Sequence, residues 1–163
     1  MATMIDIAKL FETICSVHLQ VGSFIFDEID DILQRKDVKY LAVFLAPLSV
    51  VVERQQTTYN MQMVVLDKVD RSFENDIHIL EHTRQVALDI IAEVEHNSYA
   101  TMRLDRSAIT LTDVKDRFND DDVIGWIANL AIIVPNELQT CGIPYQMPPS
   151  VILQENEFPL LLE

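Results

Sequence analysis

The segment that most restricts the fold is 77–94. Ile77, Leu80, Ala87, Ile90, Ile91 and Val94 recur at helical spacing. His78, Glu81, His82, Gln85, Asp89 and Glu93 fall mostly on the other side. A long one-sided helix must cover an apolar surface, and the flanking segments offer one in strand form. Residues 39–52 hold Tyr40, Val43, Phe44, Leu45, Val50, Val51 and Val52, interrupted by Pro47. Proline cannot donate to a central ladder, so Pro47 marks an edge, a bulge or a strand end. A polar tip at 53–58 leads into a second strand, 58–69, with Tyr59, Met61, Met63 and Val65 on one face.

After the helix, 101–112 alternates enough for one or two strands, and 113–122 reads as a charged connection. Residues 123–134 form a long strand with Ile124, Trp126, Ala128, Leu130 and Ile132 on one face, stopped by Pro135. At the N-terminus, Ile7, Leu10, Phe11, Ile14, Val17 and Val21 give a first helix, with Asp6 at its positive end. Gly22, about 1 kcal/mol worse than Ala inside a helix, predicts a break or loop at Gly22 and Ser23. A short helix over 27–34 turns Ile29, Ile32 and Leu33 inward.

This order predicts an α+β fold, an antiparallel sheet with helices packed on one face. Residues 1–135 form the core domain and 136–163 an extended, proline-containing C-terminal arm. The arm carries Val151, Ile152, Leu153, Phe158, Leu160, Leu161 and Leu162, more apolar surface than a solvated tail needs. It is expected to be buried against its own sheet or a neighbouring subunit.

A formal net charge of −14, with no basic cluster, argues against gripping nucleic acid or an anionic membrane. Residues 1–7 lack the basic and apolar pattern of an export signal, and apolar runs such as 41–48 are too short to span a bilayer. Synthesis in a reducing cytosol is expected. Cys15 and Cys141 do not make a disulfide framework, and Cys15 reads as a small core side chain.

One pattern matches an enzyme motif. His78-Ile79-Leu80-Glu81-His82 has the H-x-x-E-H form of the inverted zinc proteases. Two histidines four apart share a helix face, and a glutamate beside them could act as general base. Those enzymes need a distant third ligand, and Glu137, Glu155 and Glu157 lie in a stretch without helical pattern. The preferred reading is a polar helix face. The run Asn119-Asp120-Asp121-Asp122 lacks EF-hand spacing and reads as a solvated turn. Asp27, Glu28, Asp30 and Asp31 read as an acidic helix face. No phosphate-binding loop, nucleophile elbow or paired-cysteine zinc site is present in the sequence. The expectation is a non-enzyme without cofactor or metal. Trp126, beside Gly125, reads as a core aromatic next to a close backbone approach, or as an interface anchor. Together with Phe158, Leu160, Leu161 and Leu162 it makes up the candidate interface.

The segment order also resembles the tail-terminator or tail-completion family of tailed phages, and more closely structural proteins of Bacteroidetes phages, including the crAss-like group. The resemblance rests on Lys39-Tyr40-Leu41-Ala42-Val43-Phe44-Leu45-Ala46-Pro47 and Met63-Val64-Val65-Leu66-Asp67. It continues through the helix at 77–94, with Thr83 and Asp89-Ile90-Ile91. It ends with Asp122-Val123-Ile124-Gly125-Trp126-Ile127, Ile133-Val134-Pro135 and Cys141-Gly142-Ile143-Pro144. The resemblance implies a tail-terminator-like subunit of a homo-oligomeric ring, sixfold or twelvefold, in the neck or tail of a virion. Portal and tail proteins would adjoin it, and DNA would pass through without specific binding. Assembly would occur in the host cytoplasm, with no membrane involved. The alternatives are an intracellular protein–protein interaction module, or a small zinc hydrolase using His78, Glu81 and His82.

Overall fold

The computed structural model describes residues 2–28, 38–69, 76–97, 102–118 and 121–135. The arm at 136–163, most of the expected short helix at 27–34, and Asn119 and Asp120 lie outside the described residues. In chain order the elements are α1 (Met4–Val17), β1 (Ser23–Phe26), β2 (Ala42–Val52), β3 (Gln56–Lys68) and α2 (Asp76–Asn97). After them come β4 (Arg103–Leu104), a 3-10 turn (Arg106–Ala108), β5 (Thr110–Phe118) and β6 (Asp121–Pro135). The sheet runs β1-β2-β3-β6-β4, with β5 also on β6. The fold class is α+β, as the pattern of segments predicts.

α1 starts where its capping chemistry starts. The Thr3 hydroxyl accepts the Asp6 N–H, and the Asp6 carboxylate accepts the Thr3 N–H at 2.8 Å, a reciprocal capping box. The helix ends at Val17, earlier than the apolar spacing to Val21 implies. Ile7, Phe11, Ile14 and Cys15 are its buried face, and Val17 is exposed. The break expected at Gly22 and Ser23 includes Gly22, while Ser23 already opens a strand. β1 lies parallel to β2, pairing Ser23 with Ala42 and Phe26 with Leu45. The sheet is therefore mixed rather than wholly antiparallel. A parallel pair needs a long crossover, and the stretch from Asp27 to Leu41 supplies it.

β3 and β6 form the long centre, paired antiparallel from Gln56 with Pro135 to Lys68 with Val123. Pro47 lies within β2, and the β2–β3 register shifts between Pro47 and Ser49. That is a bulge, one of the roles open to a strand proline. Residues 113–118, expected as a connection, instead continue β5 against β6. Hydrogen bonding to a long neighbour overrides their charged composition, because an edge strand tolerates polar side chains. β4 and β5 are one interrupted edge strand. Between them the chain loops out at 105–109, where the Asp105 carboxylate accepts the Ser107 N–H at 3.0 Å.

The described helices pack on one face of the sheet. Phe11 and Ile7 of α1 and Val86, Ile90 and Val94 of α2 are fully buried against Val43, Leu45, Met61, Met63 and Val65. Each such side chain contributes about 1.5–3 kcal/mol by leaving water. Within α2 the buried positions are Thr83, Val86, Ala87, Ile90, Ile91 and Val94, while Ile77 is 80 % exposed. Ile77 belongs to the first turn, where the Lys115 ammonium holds Asp76 at 2.9 Å. The opposite face carries a smaller apolar cluster, Ala42, Phe44, Ala46, Leu66 and Val123.

Candidate functional site

β2 is longer than its neighbour on the outer side. β1 covers only Ala42 to Leu45, and the bond from Asp27 N–H to the Leu45 carbonyl at 3.3 Å continues that pairing by one step. Beyond the bulge, Ser49 to Val52 pair with Asn60 to Thr57 of β3 on the inner side. Among the described residues, none pairs with the outer side there. The side chains are also uncovered: Leu48 is 49 %, Val50 44 %, Val51 46 % and Val52 62 % exposed. The hairpin end is tied, since the Glu53 N–H donates to the Gln56 carbonyl at 2.8 Å and the Gln56 amide donates to the Glu53 carboxylate at 2.7 Å.

A strand edge with open backbone groups and no charge is a template for another strand. Natural edges are blunted by lysine, proline or bulges. Here Pro47 and the bulged residue Leu48 open the exposed run, and the paired stretch Ser49-Val50-Val51-Val52 contains none of these devices. Beside it, on the face away from the helices, lies an uncharged polar stripe. Asn60 donates to the Ser49 hydroxyl at 2.9 Å, Gln62 to the Asn129 carbonyl oxygen at 3.3 Å, and Asn129 to the Thr110 hydroxyl at 3.3 Å.

Of the residues singled out from sequence, His78, Glu81 and His82 lie on the exposed side of α2. The Glu81 carboxylate is engaged by Arg84 Nε at 3.0 Å, and that bond holds its pKa below the usual glutamate value. Among the described residues, no three His, Cys, Asp or Glu side chains come together as a metal-binding group. The Asp27 carboxylate accepts the Glu28 N–H at 3.0 Å, while Asp30 and Asp31 lie outside the described residues. Asp122 belongs to β6, where its carbonyl accepts the Val69 N–H at 2.9 Å. Cys15 is buried, and loss of solvation pushes its thiol up to about 12, which suppresses the nucleophilic thiolate. Cys141 lies outside the described residues.

Trp126 sits on the helix side of β6, half-buried, and its indole N–H donates to the Leu80 carbonyl at 2.8 Å. It thus locks the beginning of α2 to the centre of the sheet. Gly125, its neighbour, meets β3 closely: a Cβ there would lie 1.8 Å from the Val65 carbonyl oxygen. Phe158, Leu160, Leu161 and Leu162 lie outside the described residues. The exposed run on β2 was not legible as a surface. A signal for it exists in the three consecutive valines after Pro47, because a strand with one buried face needs apolar residues only at alternate positions.

Among the described residues, no helix is long and apolar enough to cross a membrane. Neither the protein-family models nor the curated proteins contain a match to this chain.

Proposed function

We propose that this protein is a structural subunit of a ring in the neck or tail of a tailed phage, surrounding the path of the exiting DNA. The observation that carries this reading is the uncovered strand edge at 48–52. An apolar edge of this kind invites association with another chain. The resemblance in segment order, now joined by the α+β architecture, supplies the kind of assembly. The charge of −14 suits a channel wall that repels phosphates, so that a duplex slides without sticking. A ring requires a head-to-tail contact repeated until it closes.

Native mass spectrometry and negative-stain microscopy of the purified full chain test the reading, alone and mixed with candidate portal and tail partners from the same genome. The expected result is a closed multimer with a central opening, formed alone or on the partner. A protein that remains monomeric over the accessible concentration range and with every partner refutes it.

A further inference from the structure

The open edge of β2 and the root of the C-terminal arm lie at the same end of the sheet. Pro135, the last residue of β6, pairs with Gln56, and Gln56 closes the hairpin onto Glu53. β6 and β2 flank β3, so a strand added outside β2 would lie three strand spacings from that root, about 14 Å. The chain beyond Pro135 is long: residues 136–163 span about 95 Å when fully extended. Its first part contains Pro144, Pro148 and Pro149. Residues 136–149 alone can span more than about 40 Å when extended, so the residues after Pro149 have the reach to pass the chain's own β2 edge and meet that of a neighbour.

Those residues begin with Ser150-Val151-Ile152-Leu153-Gln154, uncharged and rich in strand formers. The segment matches the exposed run Leu48-Ser49-Val50-Val51-Val52 in length and in lack of charge. We propose that residues 150–154 of one copy add as a β-strand to the 48–52 edge of the neighbouring copy. The proposal rests on the ring reading and gives that ring its repeating contact, arm to edge, which is head-to-tail and can close. Two copies of the 48–52 edge pairing with each other would instead make an isologous dimer that ends there. Five paired residues also fall short of the ~1,600 Å² of a standard interface. In the arm-to-edge contact, Phe158, Leu160, Leu161 and Leu162 of the same arm add apolar area.

The test uses the full chain with a photoreactive benzoylphenylalanine at Val51, prepared as an equal mixture of natural-abundance and ¹⁵N-labelled protein. After irradiation, mass spectrometry should find Val51 joined to peptides from 136–163, with mixed-isotope pairs among them. Links within single-isotope chains only would mean that each arm serves its own edge, and would overturn the proposal. Links between two 48–52 segments, or none to the arm, would also overturn it. In a second measurement, Val50→Lys/Val51→Lys in the full chain should abolish hydrogen-exchange protection at 150–154 while the circular dichroism spectrum is retained. Unchanged protection would contradict the proposal. Native mass spectra of the same samples separate the two readings. A ring whose arm does not reach Val51 sinks this inference alone, and a monomer throughout sinks both.

Discussion

Replacing Gly125 by alanine should be among the most damaging single-methyl changes this chain can suffer. The added Cβ would stand 1.8 Å from the Val65 carbonyl oxygen, 2.9 Å from its carbon and 3.0 Å from the Leu66 Cα. All three are backbone atoms, so no rotamer change relieves the contact. To reach the 3.0 Å that real Cβ contacts keep, β6 and β3 must separate there by about 1.2 Å. These are the two central strands, and Gly125 faces Leu66 on one side and Val114 on the other. Parting them weakens about two ladder hydrogen bonds at ~1 kcal/mol each. It also loosens the packing of Val65 and Ile124, both fully buried, for about another 1 kcal/mol. The expected loss is therefore about 3 kcal/mol, a large share of the ~5–15 kcal/mol that holds a domain folded. In a protein of this length that corresponds to a fall in Tm of roughly 6–12 °C. Urea and thermal unfolding followed by circular dichroism measure it, with Trp126, the single tryptophan, as a fluorescence probe. Gly22→Ala is the comparison. Its Cβ would meet the Tyr40 carbonyl oxygen at 2.7 Å and the Lys39 carbonyl oxygen at 2.9 Å, a far smaller overlap, at the exposed entry to β1. If Gly125→Ala unfolds at the same midpoint as the parent, or later than Gly22→Ala, the close approach of β6 to β3 does not constrain this fold.

Trp126→Phe keeps an aromatic ring but removes the N–H that the Leu80 carbonyl accepts, and should cost about 1 kcal/mol in the same unfolding assay. Thr3→Ala removes one half of the capping box on α1 and should destabilise by about 0.5–2 kcal/mol, whereas Thr3→Ser should be nearly neutral. The Thr3 bonds lower the Asp6 pKa, Arg84 lowers that of Glu81, Arg106 that of Glu95 and Ser107 that of Asp105. Because the folded values lie below the unfolded ones, this stabilisation is complete above the ordinary values of 3.8 for Asp and 4.5 for Glu. It is lost as pH falls through the lower folded values, so the urea midpoint should decline on acidification below about pH 4.5, and Asp6→Asn should flatten part of that decline. Cys15 should stay unmodified by a thiol reagent in the native protein and react on unfolding, read by peptide mapping; rapid native labelling would mean that α1 opens readily.

Much of the scaffold is legible from local pattern. The alternation of Met61, Met63 and Val65, and of Ala128, Leu130 and Ile132, reports which strand face is buried, because strand side chains alternate strictly. The Gly125-Trp126 pair announces a tight backbone approach, since only glycine lets two strands come so near. Other features needed partners remote in sequence. The charged run at 113–118 carries no strand signal of its own and becomes one by pairing with β6. Ser23, expected in the break after Gly22, joins a strand because it pairs with Ala42 of β2. The histidines of α2 satisfy a motif by spacing, but the tertiary arrangement leaves them facing outward and gives Glu81 to Arg84.

Residues a few positions apart thus suffice to specify the class of the fold, the middle of each helix face and the two backbone punctuations at Pro47 and Gly125, while Val17 and Ile77, near the helix ends, are exposed. The identity of the open strand edge needs the assembled sheet. Whether Val50, Val51 and Val52 are core or surface depends on how far β1 extends along β2, and β1 ends at Phe26, opposite Leu45. Apolar side chains record an affinity for burial, and the place where neighbouring strands run out determines whether that affinity is met within the chain or by another one.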